Sequence, residues 1–119
     1  MGVDLKLLIV EGSGDNTYAH TMMEFGQYYN LFDRLNEHAV AGIYGSLSTY
    51  LAEIPDGEWE GESGYGDVTV TPYGQPLTYL SAAEFVWLAS GFELQTRGRA
   101  AVAYLKELPA DTWICLYYH

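Results

Sequence analysis

The segment Asp56-Gly57-Glu58-Trp59-Glu60-Gly61-Glu62 places a carboxylate on every second residue. In an extended backbone all four project from one face, roughly 6.6–6.8 Å apart. Trp59 then points the other way or folds over as an exposed aromatic anchor. Such a ladder offers evenly spaced negative charge to a groove that normally holds nucleic-acid phosphates. Arg and Lys in that groove pair with carboxylates as they do with phosphates. Glu53, Tyr65 and Asp67 flank the run, so Glu53, Asp56, Glu58, Trp59, Glu60, Glu62, Tyr65 and Asp67 form the candidate partner-binding set. The same residues also read as a solvated acidic loop. A calcium loop fits them poorly. Asp56, Glu58, Glu60 and Gly61 fall at EF-hand-like positions, with Asp67 as the last ligand. That frame prefers Asp or Asn in the middle, Glu at the end and a helix afterwards.

Other chemistry is sparse. His20, His38 and His119 are too scattered to suggest a metal triad. Ser13, in Gly12-Ser13-Gly14, lacks the spacing of a nucleophile elbow, and no phosphate-binding glycine loop occurs. Cys115 is the only cysteine. It excludes an internal disulfide and a thiolate zinc site, and inside an apolar run it reads as an inert core residue. No catalytic residue, metal site or cofactor is therefore expected.

Lys plus Arg number 5 against 16 Asp plus Glu, for a formal charge of −11. Ordinary phosphate-backbone binding needs the opposite balance. Between Arg34 and Arg97 lie 62 residues without a Lys or Arg, and nine of the sixteen acids sit there. Three of the five bases fall at Arg97, Arg99 and Lys106, so charge is polarised along the chain. A field of one sign steers cationic partners. Eleven tyrosines are a second anomaly. They read either as a tyrosine-rich core periphery or as interface residues, where tyrosine is enriched.

These groups need a frame, and 119 residues with 49% hydrophobic content make one domain, 1–119. Val3, Leu5, Leu7 and Ile9 alternate as a strand does. A Gly- and Asx-rich turn follows, and residues 20–25 allow a second strand. From Gln27 the period changes: Tyr28, Leu31, Phe32, Leu35 and Ala39 mark an amphipathic helix, with Gly42 as its stop. A short strand fits within residues 43–52, a loop across 55–66, and a strand through Val68 and Val70. Pro72-Tyr73-Gly74 fits a type I turn. Ser81-Ala82-Ala83-Glu84 is a capping box opening a helix to about Ser90, apolar on every side. A further helix runs from about Arg97 to Leu108, with Pro109 ending it. Residues 112–118 read as an interior strand covered on both faces. The order implies an α+β sandwich: a mostly antiparallel sheet of about four to five strands, with about three helices packed mainly on one face. The first and last strands are expected side by side in its middle.

No apolar run approaches the length of a membrane span. The acidic N-terminus does not resemble a secretion signal. Lys6 stands where a myristoylation motif wants Ser or Thr. The expected setting is the bacterial cytoplasm.

Several short signatures stand together: Met1-Gly2-Val3-Asp4-Leu5-Lys6-Leu7-Leu8, Tyr18-Ala19-His20-Thr21, Leu31-Phe32-Asp33, Tyr65-Gly66-Asp67 and Pro72-Tyr73-Gly74-Gln75-Pro76-Leu77-Thr78-Tyr79. Ala103-Tyr104-Leu105, Leu108-Pro109-Ala110-Asp111-Thr112 and Leu116-Tyr117-Tyr118-His119 complete them. The chain resembles a group of small uncharacterised bacteriophage and prophage proteins. The resemblance implies a mobile-element origin and no catalytic residues, and the acidic ladder is not part of it. Together with the charge it leads to one expectation. The chain binds and inhibits a basic host protein or nucleoprotein complex, such as a CRISPR effector or a nuclease, without contacting nucleic acid or membrane, as a monomer or small homo-oligomer. Two alternatives stand beside it. One is a small enzyme around His20, Asp33 and Tyr79. The other is a structural or regulatory homo-oligomer with the Phe85–Ala89 helix as its seam.

Overall fold

Strand β1 (Leu5–Glu11) is sealed on both sides, because its alternation puts apolar residues on each face. Leu5, Leu7 and Ile9 enter one core cluster, and Leu8 and Val10 enter another. Around it, the structure, a computed structural model, describes residues 3–12, 17–43, 47–50, 65–68 and 70–119.

The other elements follow in chain order: β2 (Tyr18–Gly26), α1 (Tyr29–His38), β3 (Val40–Ala41), β4 (Leu47–Tyr50), β5 (Tyr65–Val68), β6 (Thr78–Ser81), α2 (Ala82–Ala89), α3 (Thr96–Lys106) and β7 (Trp113–Tyr118). They form one seven-stranded sheet in the order β3-β6-β7-β1-β2-β4-β5. Every adjacent pair is antiparallel except β2 and β4, which run parallel across the α1 connection. A parallel pair needs such a crossover, whereas antiparallel neighbours can be joined by a tight turn. The fold is α+β.

The two strands with the most apolar sequences lie together at the centre. In β1 and β7, Leu7 faces Leu116 and Ile9 faces Ile114 across an antiparallel ladder. Burial of each such side chain contributes about 1.5–3 kcal/mol. All three helices pack on the Leu5–Leu7–Ile9 face. Leu31, Phe32 and Leu35 come from α1, Phe85, Leu88 and Ala89 from α2, and Ala101 and Leu105 from α3. The opposite face gathers Leu8, Val10, Ala19, Leu47, Leu77, Tyr79, Cys115 and Tyr117.

Two strands have no clear signal in the sequence. In β6, Tyr79 and Leu80 are both buried on opposite faces, so its four residues show no alternation. The two-residue β3 exists through its pairing with β6, Val40 opposite Tyr79. The poor alternation of residues 20–25 has a local cause. The register shifts at the end of β2, where Leu5 faces Gly26 and Lys6 faces Glu24, leaving Phe25 as an extra, buried residue. Such a bulge breaks period two.

Boundaries also move. Helix α1 ends at His38, before Gly42, because Ala39 is already extended and leads into β3; Gly42 takes a positive φ of 79° beyond it. Strand β5 stops at Val68, and Val70 instead bridges Pro76. The turn between them closes as expected, the Gly74 N–H donating to the Thr71 carbonyl at 2.9 Å. The capping box is half made. Ser81 Oγ accepts from the Glu84 N–H at 3.2 Å, but the Glu84 carboxylate lies 3.2 Å from His38 Nδ1 on the neighbouring helix. Helix α2 is not apolar outward on every side. Ala82, Phe85, Leu88 and Ala89 are buried, while Trp87 is 64% exposed. The expected loop at 55–66 lies outside the described residues except for Tyr65 and Gly66, which open β5.

Cys115 is fully buried between β1 and β6, opposite Leu8 and Tyr79. A thiolate there would be stripped of water, and the thiolate is the reactive form. We therefore expect a thiol-reactive dye to leave the native protein unlabelled at pH 8 and to label one thiol per chain in denaturant. Labelling at equal rates in both states would place Cys115 at the surface.

Candidate functional site

Helix α1 turns Tyr29, Phe32, Asp33 and Asn36 toward one end of the sheet, at the i, i+3, i+4, i+7 spacing of a single helical face. The 71–78 segment approaches the same place, as does the end of β7. Between them lies a cavity of about 470 Å³, lined also by Thr71, Tyr73, Pro76, Leu116 and Tyr118. Its aromatic wall is ordered edge to face: Tyr29 on Phe32 at 5.9 Å and 86°, and Phe32 on Tyr118 at 5.1 Å and 75°. Such pairs are favoured by the ring quadrupoles. The Val3 N–H donates to the Tyr29 hydroxyl at 3.2 Å, tying the N-terminal strand to the rim. Thr71 is buried, and its Oγ1 accepts from the Gln75 N–H at 3.3 Å, which steadies the turn.

Tyr118 is the unusual member. Its hydroxyl is buried and has no hydrogen-bond partner among the described residues. Buried hydroxyls are nearly always partnered. Burial pushes its pKa well above the ordinary phenol range, and the negative charge of Asp33 adds to the shift. Among the described residues, Asp33 is the one charged residue of the lining and no histidine lines it.

Of the residues singled out from sequence, Glu53, Asp56, Glu58, Trp59, Glu60 and Glu62 lie outside the described residues. Tyr65 and Asp67 lie on β5, at one edge of the sheet, opposite Tyr50 and Ser48 of β4. The alternative trio is not brought together: Asp33 stands on the helical side, while Tyr79 is buried in the cluster of the opposite face. His20 lies on β2. The other two histidines each meet a carboxylate. His38 is 3.2 Å from Glu84 and its ring stands at 83° to Trp87, and His119 Nε2 is 3.3 Å from Glu24 Oε2. Glu24 also holds Lys6, only 9% exposed, at 3.8 Å. Among the described residues no three His, Cys, Asp or Glu side chains gather to hold a metal ion. No described helix is long and apolar enough to cross a membrane.

The cavity itself was not apparent from the sequence. Its one trace was the tyrosine excess, which now divides. Tyr79 and Tyr117 are core residues, whereas Tyr29 and Tyr73 are half exposed at the cavity. Compared with protein-family models, with curated proteins and with solved structures, the chain matches none.

Proposed function

We propose that this chain acts by binding a basic protein partner and not by catalysis. The observation that carries the reading is the charge distribution: −11 overall, with nine acids in a 62-residue stretch that holds no Lys or Arg. The described structure supports it in two ways. Lys6, one of the five bases, is occupied by Glu24 inside the fold. The described lining of the apolar cavity holds no histidine, the usual general acid–base residue. In its finer form the partner is a nucleic-acid-binding complex of a bacterial host, and the chain a phage-derived anti-defence inhibitor in the host cytoplasm. Asp56, Glu58, Glu60 and Glu62 then stand in for phosphates, with Glu53 and Asp67 beside them and Trp59 and Tyr65 as anchors.

The test compares the full chain with its D56A/E58A/E60A/E62A variant as immobilised baits in a nuclease-treated bacterial lysate. The expected result is a set of basic proteins retained by the wild type at low salt, lost at raised salt, and reduced at least tenfold on the variant. Exposed charge pairs are screened by salt, and charge mutations act first on association rate. Equal retention by both baits at low salt would end the phosphate-mimic reading.

A further inference from the structure

Among the described residues, the cavity between α1, the 71–76 turn and the end of β7 combines an apolar wall with a single charge. Phe32 and Leu116 form its buried floor, and Tyr29 and Tyr73, 53% and 54% exposed, stand at its rim. No Lys or Arg lines it, and among the described residues no base pairs with Asp33. We propose that this cavity binds a small organic cation, an amine whose aromatic or aliphatic body fills the apolar wall and whose ammonium group sits on Asp33.

Four physical arguments converge on that class of ligand. The volume, about 470 Å³, falls within the range of small-molecule sites. It is too large to be filled by one inserted side chain. An anion is opposed twice, by Asp33 and by the field of a chain at −11. A neutral apolar ligand would cover Asp33 without replacing the water it loses, and burying an uncompensated carboxylate is costly. An ammonium resolves that cost through charge-assisted hydrogen bonds. The tyrosine faces at the rim attract a cation as well.

The test uses three probes of one shape and different charge: tryptamine, tryptophol and indole-3-propionate. Each is titrated into the isotopically labelled full chain near pH 7, followed by amide chemical shifts. Tryptamine is expected to shift amides around Phe32, Asp33, Tyr73 and Tyr118. Tryptophol should bind at least tenfold more weakly, and indole-3-propionate should leave the spectrum unchanged. D33N should bring tryptamine down to the tryptophol level, a loss of tenfold or more, with an unchanged apo spectrum elsewhere because Asp33 is exposed. Equal affinity for tryptamine and tryptophol would overturn the proposal. So would an undiminished tryptamine affinity in D33N, shifts centred elsewhere, or no shift at millimolar tryptamine. Acidic residues 56–62 are intact in every sample, so failure here leaves the basic-partner reading standing.

Discussion

Phe85→Ala is expected to remove about 3–5 kcal/mol of folding stability. Phe85 is fully buried on α2, where its ring meets Phe25 edge to face at 5.3 Å and 83°. Phe25 is the bulged residue of β2, so the pair joins the helical layer to a register shift in the central ladder. The neighbours in that cluster come from α1, α3 and four strands. Elements tied to so many others cannot collapse into the space a phenyl ring leaves, and an uncollapsed cavity raises the cost. A domain of this size has about 5–15 kcal/mol in all. The midpoint of thermal unfolding followed by circular dichroism should therefore fall by about 10–25 °C. Trp87→Ala, two residues along the same helix, is the internal comparison. Trp87 is 64% exposed, and its one ring partner among the described residues is His38 at 6.3 Å. Its loss should cost about 0.5 kcal/mol or less, the range of surface substitutions. Equal losses for the two would mean that α2 presents a different face to the sheet, and would return weight to a homo-oligomeric seam along Phe85–Ala89.

That contrast also marks what was legible in the sequence. Residues 85–89 read as apolar all round, and composition alone could not say which of them face water. The packing does: the helix rests on the sheet and against α3, leaving Trp87 outward. Where a period was strong, the sequence was a good guide. β1 alternates and β7 is an unbroken apolar run, and they pair at the sheet centre. The i, i+3, i+4, i+7 spacing of Tyr28, Leu31, Phe32 and Leu35 predicts α1, and only its end is overshot, at His38 instead of Gly42. Where an element is short and its neighbours supply its stability, the local signal vanishes, as in β3 and β6. The cavity is an extreme case. Its lining comes from residue 3, residues 29–36, residues 71–78 and residues 116–118, so no window of sequence contains it. The two candidate sites thus share no residue. The acidic one is a local pattern that any reading of the chain finds, whereas the aromatic one exists only once α1 crosses the end of β7.

Raising the pH from about 9 to about 11 should destabilise the fold by roughly 3–4 kcal/mol through Cys115 and Tyr118 together. Burial pushes the Cys115 thiol far above its ordinary range, and a hydrogen bond shared with Tyr79 offsets only part of that. Burial does the same to the Tyr118 phenol, with Asp33 adding to it. In the unfolded chain each group releases its proton near the ordinary value; in the fold each keeps it. The native state therefore binds more protons at alkaline pH, and stability must fall as pH rises. The contribution is intact below the ordinary pKa and declines by about 1.4 kcal/mol per pH unit per group above it. The thiol acts first and the phenol joins about one unit higher. Urea unfolding at several pH values measures the slope. Every other group is common to wild type and variants, so differences between them isolate the two groups. C115A should flatten the decline between about pH 9 and 10, whatever its cavity costs at neutral pH. Y118F should flatten it above about pH 10 while keeping neutral-pH stability, because it removes a buried hydroxyl that has no partner among the described residues. A Y118F chain clearly less stable at pH 7 would show that the hydroxyl is hydrogen-bonded in the free protein. The phenol would then be satisfied within the fold, and Asp33 is the group left to recognise a cation.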